Sequence, residues 1–477
     1  MRTLADSGPL VPVCVDLDRT LVKTDLRWEI ILIAIKRSPW ILLLFPLWLL
    51  HSKAGFVKEL AARVDIDAGT LPYSEELLAY LRQQKTHGRS VVLISECPPR
   101  FGRAVAEHTG IFTDVISHSE RPDSRGRMQA LTARYGIGGF DYAGGRDSDQ
   151  EIWRSARSAI VANARPGLAR KVGRTHSNPV VIAPRTLNLS TFSACTRLNQ
   201  WIKNILVFVP VIAGHKMLAA PVVKTSAIAL LVFGLAASSN YIFNDLLDLA
   251  ADRKHPRKRL RPLAAGDVSV PQGLTIALVL LVTAVLFASG LRGNFIGWLV
   301  LYLAIAWAYS LGLKQHVLLD VVALACLYTL RVVAGGAATG IRLSNWLLAF
   351  SLFIFTSLAL VKRCSELTAA SFANAARVNG RDYRVADLGQ LRMMGIASGY
   401  VAALVIALYV NSPETAVLYS RPMMLWLLCP LTLFWVSRIW IAAGRGEIEE
   451  DPVAFALRDD GSRLVVLVSF LTMLAAL

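Results

Sequence analysis

Cysteine is scarce and carries no pattern in this chain. Its six cysteines (Cys14, Cys97, Cys195, Cys326, Cys364 and Cys429) show neither paired nor metal-ligand spacing, which leaves buried thiols or a reducing compartment. The opening MRTLADSGPLVPVCVDLDRT lacks a signal-peptide layout, so the first domain is expected on the cytoplasmic side. Acids are in short supply: 34 Asp and Glu stand against 51 Lys and Arg, a formal charge of +17 at pH 7. Apolar residues are plentiful, 54% of 477, and a mean hydropathy of +0.46 is too high for an ordinary soluble protein of this length. The length allows two or three domains. The positive excess must lie outside the apolar segments, where it reads as membrane topology and contact with anionic lipid or phosphate, not nucleic acid.

Residues 239–266, SNYIFNDLLDLAADRKHPRKRLRPLAAG, organise the rest. They begin as the end of an apolar segment and turn into acids, then bases. Asn244, Asp245, Asp248 and Asp252 fall at i, i+1, i+4 and i+8, which on a helix stacks them on one face over about two turns. Such a cluster at a membrane-helix end is costly unless a cation neutralises it. Hard oxygen ligands suit Mg²⁺, which bridges one or two carboxylates to substrate phosphates. Arg253, Lys254, Arg257, Lys258, Arg259 and Arg261 follow at once as an anion-attracting counterpart.

Upstream, the apolar run at 11–15 predicts a buried strand ending in Asp16-Leu17-Asp18-Arg19-Thr20. An aspartate leaving a strand, with another two residues on, can act as nucleophile and acid/base around Mg²⁺. This DxDxT arrangement resembles the haloacid dehalogenase (HAD) superfamily. Ser95, after a second predicted strand at 90–94, matches that family's phosphate-binding Ser/Thr. Residues 140–144 followed by Asp149 resemble its last metal-binding motif, and the resemblance implies Asp16, Asp18 and Asp149 as metal ligands. The chain departs from the family at Gly145, where an aspartate is usual, and at the family's lysine, replaced by Arg127 or Arg125. Both a working and a degenerate phosphatase stay open. Alternating strands and helices predict a Rossmann-like α/β domain over 1–185, with a helical cap around 26–80. In that cap the apolar runs 28–35 and 40–50 are each too short to span a bilayer. They form a hairpin lying either in the membrane interface or on its own domain.

After a linker at 186–200, the domain 201–477 is expected to be all-α and polytopic. Nine apolar segments have transmembrane length or close to it, at about 203–219, 223–243, 271–290, 294–313, 317–339, 343–361, 393–411, 421–441 and 462–477. The loops after even-numbered segments hold the bases of 253–261, Lys314, 362–392 and 438–463, while the others carry few charges, such as Arg342 alone. The positive-inside rule then places the charged loops and the first domain on the cytoplasmic side.

Asn244-Asp245-x-x-Asp248-x-x-x-Asp252-Arg253-x-His255-Pro256-x-Lys258, closing with Arg261-Pro262-x-Ala264-Ala265-Gly266, resembles the signature of the UbiA superfamily of intramembrane transferases. The resemblance covers 190–477 and implies transfer from or onto polyprenyl lipids with Mg²⁺ on a diphosphate leaving group. A second DxxxD motif is usual in that family, but here Asp320 is followed by Leu324 where its second acid would stand. Arg197-x-x-Gln200-Trp201-x-Lys203-Asn204, Tyr309-Ser310-x-x-Leu313-Lys314, Asp320 with Arg331, and Lys362-Arg363-x-x-Glu366 are similar to the decaprenyl-phosphate phosphoribosyltransferase branch. That branch implies phosphoribosyl pyrophosphate as donor and a polyprenyl phosphate as acceptor. Because the acceptor is already an anion, no strong base is needed.

Expected Mg²⁺ ligands are therefore Asn244, Asp245, Asp248 and Asp252, with Asp320 as a further catalytic acid. Lys203, Asn204, Lys258, Arg261, Tyr309, Lys314, Arg331, Lys362 and Arg363 are candidate substrate contacts, and each base also suits a topology anchor. Arg331 falls mid-span, where an unpaired cation costs about 3 kcal/mol, so a phosphate or a carboxylate such as Asp320 is expected beside it. Asp320 and Arg331 share a helix face about three turns apart and cannot touch. Trp201 and His255 read equally as an interfacial anchor and a loop residue, and Gly380-Arg381-Asp382-Tyr383 receives no chemistry. The alternatives are a polyprenyl diphosphate-dependent prenyltransferase with an aromatic or other acceptor, and a non-enzymatic lipid-binding protein.

Overall fold

The computed structural model describes residues 10–38, 59–117, 123–176, 178–183, 188–372, 381–448 and 452–477. The chain divides into two compact units, Met1–Arg197 with Tyr241–Leu278, and Leu198–Asn240 with Val279–Leu477. The acid-and-base stretch thus belongs with the N-terminal part, because its charges pair with side chains there.

The first unit is built on six parallel strands, β1 (Val13–Asp16), β2 (Val91–Ser95), β3 (Asp114–Ser117), β4 (Asp141–Gly144), β5 (Ser158–Ala162) and β6 (Val180–Ile182), in the order β3-β2-β1-β4-β5-β6. VCVD and VVLIS read as unbroken apolar runs because a parallel sheet is covered on both faces. Val13 and Val15 enter one core with Leu26, Leu93 and Phe101, while Cys14 enters the opposite one with Ile94, Tyr142 and Trp153. The chain runs outward from β1 through β2 to β3, then crosses back to place β4 on the other side of β1. Strand order reverses there, so the β1 and β4 carboxyl ends form the crevice where ligands of such sheets bind.

The helix Leu26–Arg37 follows β1 and is N-capped by Asp25. Leu26, Ile30 and Ala34 bury one face of it in the core of its own domain. The second arm of the expected cap hairpin, 40–50, lies outside the described residues.

Helix occupies most of each of the nine apolar stretches. Among the described residues six helices are long and apolar enough to cross a membrane: Ala220–Leu247, Val270–Ser289, Leu319–Thr339, Asn345–Phe372, Val385–Val410 and Pro422–Gly444. Leu198–Ala213 and Phe295–Leu311 are shorter apolar helices, and Asp460–Ala476 has 17 residues. Leu198–Ala213 changes character near Pro210, from the tighter helix Leu198–Phe208 to Val209–Ala213.

Small residues set close crossings in the second unit. A Cβ on Gly335 would lie 2.2 Å from the Val207 carbonyl oxygen, so only glycine lets the two segments approach this closely. Gly395 gives the Trp440 ring the same allowance. Trp201 packs against Gly234 and donates through Nε1 to Ser238 Oγ at 2.9 Å, a packing role instead of the interfacial anchor.

Candidate functional site

Three polar clusters gather the residues marked by the sequence. The first sits at the carboxyl ends of β1, β2 and β4, where Asp16, Asp18, Ser95 and Asp149 are all fully buried. Two arginines enter it. Arg127, from the helix Ser124–Tyr135, puts Nη1 3.0 Å from Asp16 Oδ2, Nη2 2.9 Å from Asp149 Oδ1 and Nε 3.1 Å from Glu96 Oε1. Arg146 lies 3.1 Å from Asp16 Oδ2, 3.1 Å from Glu96 Oε1 and 3.9 Å from Asp18 Oδ2. Of the two arginines considered for the HAD lysine, Arg127 is inside and Arg125 is exposed.

Of the other oxygens, Asp16 Oδ1 and Asp18 Oδ2 are buried without a hydrogen-bond partner. Asp149 Oδ2 accepts from the backbone of Gly145 and Arg146, and Asp18 Oδ1 accepts from Leu26 N at 2.8 Å. Burial, with Asp25 nearby, pushes the Asp18 carboxyl up to about 8 against the pull of Arg146. Burial and then Asp16 raise Asp149 in the same way. Guanidinium groups stand beside Asp16 and Asp149 in this structure, as one does between the acids of the next cluster. Gly145 has a steric reason: a Cβ there would lie 2.5 Å from the Ala162 oxygen and 2.6 Å from the Arg19 oxygen. An aspartate has no room.

The second cluster is the acid motif. The expected single helix is interrupted: Asn244 and Asp245 end the helix Ala220–Leu247, Asp248 is the N-cap of Leu249–Lys254, and Asp252 lies in that short helix. Helical spacing nevertheless survives the break, since Asp248 N donates to the Asn244 oxygen at 2.9 Å and Asp252 N to the Asp248 oxygen at 2.8 Å. Asp245 and Asp252 are buried and converge on one nitrogen, Arg261 Nη1, at 3.1 and 2.6 Å. Arg197 also pairs with Asp245, and Lys36 lies 2.7 Å from Asp248. Among the described residues no three acids, imidazoles or thiols form a ready metal cage. Two buried carboxylates sharing one cation do fit Mg²⁺ as it is bound beside phosphates. Lys258 sits exposed in the turn Lys258–Leu260, and His255 Nδ1 accepts from Arg257 N at 3.2 Å, a loop role.

The third cluster lies in the second unit. Asp320, fully buried, receives Arg363 Nε at 2.5 Å, Arg381 Nη1 at 3.2 Å and the Tyr383 hydroxyl at 2.5 Å. The two arginines share Glu366 and the Tyr309 hydroxyl, and Arg381 also reaches the Lys314 carbonyl at 3.4 Å. Burial, then the bond to Asp320, raises the Tyr383 hydroxyl well above its ordinary range. Lys362 precedes Arg363 on the helix Asn345–Phe372.

Deeper in the helices, Arg331 is buried, with Nε 2.9 Å from Asn204 Oδ1, Nη2 3.0 Å from the Tyr302 hydroxyl and Nη1 2.5 Å from the Leu327 oxygen. Its guanidinium lies over the rings of Tyr302 and Tyr328, and Lys203 Nζ is 6.0 Å from the Tyr328 centroid. These partners are neutral, so Asp320 is not the companion of Arg331. Asn204 Nδ2 is buried without a hydrogen-bond partner. Sequence reasoning missed Arg381 and Tyr383. The only signal was polar residues in a loop, which does not separate a bound side chain from a solvated one.

The UbiA prenyltransferase family model matches residues 207–458. The protein y4nM of Sinorhizobium fredii is 34% identical over 459 residues, 95% of this chain and 88% of its own. Nodulation protein NoeC of Azorhizobium caulinodans is 32% identical over 285 residues, 58% of this chain and 90% of its own. Decaprenyl-phosphate phosphoribosyltransferase of Mycobacterium tuberculosis is 37% identical over 204 residues, 42% of this chain and 68% of its own.

Proposed function

The chain belongs to the UbiA prenyltransferase family, a multi-pass membrane transferase, and on that premise we propose that it moves 5-phosphoribose from phosphoribosyl pyrophosphate to a polyprenyl phosphate. One observation carries the choice of donor. Where a second acidic motif would offer another metal site, Asp320 is instead bonded to Arg363 and Arg381, an arrangement suited to orienting guanidinium groups toward phosphate.

In this reading Asp245, Asp248 and Asp252, with Asn244, would hold Mg²⁺. The ion would neutralise the departing pyrophosphate. A phosphate oxygen of the acceptor lipid attacks the ribose C1, the C1–O bond to pyrophosphate breaks, and its electron pair leaves with pyrophosphate. No proton moves, so no general base is required. Lys203, Asn204 and Arg331 are assigned to the lipid phosphate, because a buried cation with neutral partners and an unused amide donor among the helices suit an anion. Arg363, Arg381, Lys314, Lys362 and Tyr309 are assigned to the ribose 5-phosphate, and Lys258 and Arg261 to the pyrophosphate. The positive-inside pattern puts the charged loops and the first unit on the cytoplasmic side. That unit is read as HAD-like from Asp16 at the end of β1, Asp18 just beyond it and Ser95 at the end of β2.

The test is Mg²⁺-dependent incorporation of labelled phosphoribosyl pyrophosphate into butanol-extractable lipid by membranes carrying this chain and added polyprenyl phosphate. Label lost with a chelator and in Asp248→Asn supports the reading. Transfer only from a polyprenyl diphosphate to an aromatic acid overturns it.

A further inference from the structure

The helix Leu26–Arg37 carries two charged side chains beside its buried face. Glu29 and Lys36 lie seven residues apart, two turns on one face, on the flank of the row formed by the buried Leu26 and Ile30, and Glu29 is itself buried. Both side chains end on the acid motif. Glu29 takes Arg253 in a two-pronged pair at 2.6 and 3.1 Å, and both side chains are nearly wholly buried (4% and 6% exposed). The third guanidinium nitrogen, Nε, donates to the Ala264 oxygen at 3.0 Å, so Arg253 ties the acid turn to the closing RPLAAG segment. Lys36 Nζ lies 2.7 Å from Asp248 Oδ1.

The fit is steric as well as electrostatic. Gly266 has φ +77°, and a Cβ there would lie 2.6 Å from Lys23 Cβ, so the end of the motif lies flush against the turn that leads into this helix. Farther out, Lys254 lies 3.0 Å from Asp67. In the same unit the acid centre at β1 carries Arg127 and Arg146 beside Asp16, apart from the contacts made by this helix.

We propose that the N-terminal α/β unit is a clamp on the acid motif: Glu29 positions the motif through Arg253, and Lys36 is a resident cation on Asp248 that a divalent metal must displace. The proposal rests on the assignment of Asp248 to metal under the reading above. Glu29 and Lys36 are positioning residues, acting through Arg253 and Asp248. The clamp gives a fused unit a task that needs no chemistry of its own.

The test is Mn²⁺ binding to the purified full-length protein, followed by electron paramagnetic resonance without substrate. Removing an exposed ion-pair partner alters a neighbouring charge interaction modestly, so Lys36→Met is expected to tighten Mn²⁺ about two- to fivefold. Lys36→Arg should keep the wild-type affinity, and the gain should vanish when Lys36→Met is combined with Asp248→Asn. An unchanged affinity in Lys36→Met, the same gain in the Asp248→Asn background, or no Mn²⁺ bound by the wild type overturns the clamp. The donor assignment fails separately: a protein that binds Mn²⁺ as described yet transfers no label from phosphoribosyl pyrophosphate retains the clamp and loses the donor.

Discussion

Arg363 and Asp320 meet in the second unit with Nε 2.5 Å from Oδ2, and both side chains are almost completely excluded from solvent. Arg381 approaches the same carboxylate oxygen from a loop. The carboxylate thereby fixes two guanidinium groups whose remaining donors extend to Glu366 and Tyr309. An arginine held on one side by a buried acid is pre-organised for an anion on the other.

Arg381→Ala is accordingly expected to lower kcat/KM for the lipid-forming reaction by about ten- to a hundredfold, the loss of charge-assisted bonds worth roughly 1.5–3 kcal/mol. Steady-state incorporation at varied donor concentration checks it. Arg381→Lys should recover only part of the loss, because one ammonium cannot reproduce the fork that reaches both Asp320 and Glu366.

Tyr383→Phe removes a hydroxyl that donates to Asp320 and accepts from Leu318 N at 2.9 Å. Leu318 sits at φ +66°, a conformation costly for leucine and held partly by this bond. Thermal melting in detergent should show a loss of about 1–3 kcal/mol.

Glu29→Gln leaves the buried Arg253 without its counter-charge. Breaking one partner of such a pair costs about 3–5 kcal/mol. A lowered melting temperature, with a raised KM for the donor in the fraction that remains folded, is the expected outcome.

The carboxyl of Asp18 is pushed up to about 8, chiefly by burial. A raised acid binds its proton in the folded state where the unfolded chain has released it, so its stabilising contribution is full below about pH 4 and is lost as pH rises toward 8. Asp149 acts in the same direction. Melting measured between pH 5 and pH 8 should fall with pH. Asp18→Asn, which keeps an oxygen for Leu26 N, should flatten that slope.

Gly335→Ala forces a methyl to within 2.2 Å of the Val207 oxygen, and a backbone atom cannot swing aside as a side-chain tip can. Overpacking of this kind costs about 1–3 kcal/mol. Because the segment carrying Val207 also carries Lys203 and Asn204, transfer activity should fall along with the melting temperature.

Much of this was legible in the chain. The β1 strand and its two aspartates were readable because an apolar run ending in acids has few other uses, and the helical stretches because membrane spans require long apolar segments. The acid motif was found, but its break at Asp248 was not, since i, i+4 spacing persists through an N-cap. Lys36 and Asp248 stand 212 residues apart, and nothing local in either stretch announces the other. Arg331 was expected beside an acid or a phosphate, yet tyrosine rings and an amide hold it, a solution that hydropathy cannot foresee. Arg381 and Tyr383 were hidden by the ordinary appearance of a polar loop.

The crowding around Gly145 decides what that position can carry. With the Ala162 and Arg19 carbonyls pressed against the position where a Cβ would grow, any side chain there requires the surrounding backbone to move. Glycine here lets the exit of β4 lie flush against the Arg19 turn and the end of β5, so the crowding that excludes a side chain also joins three chain segments.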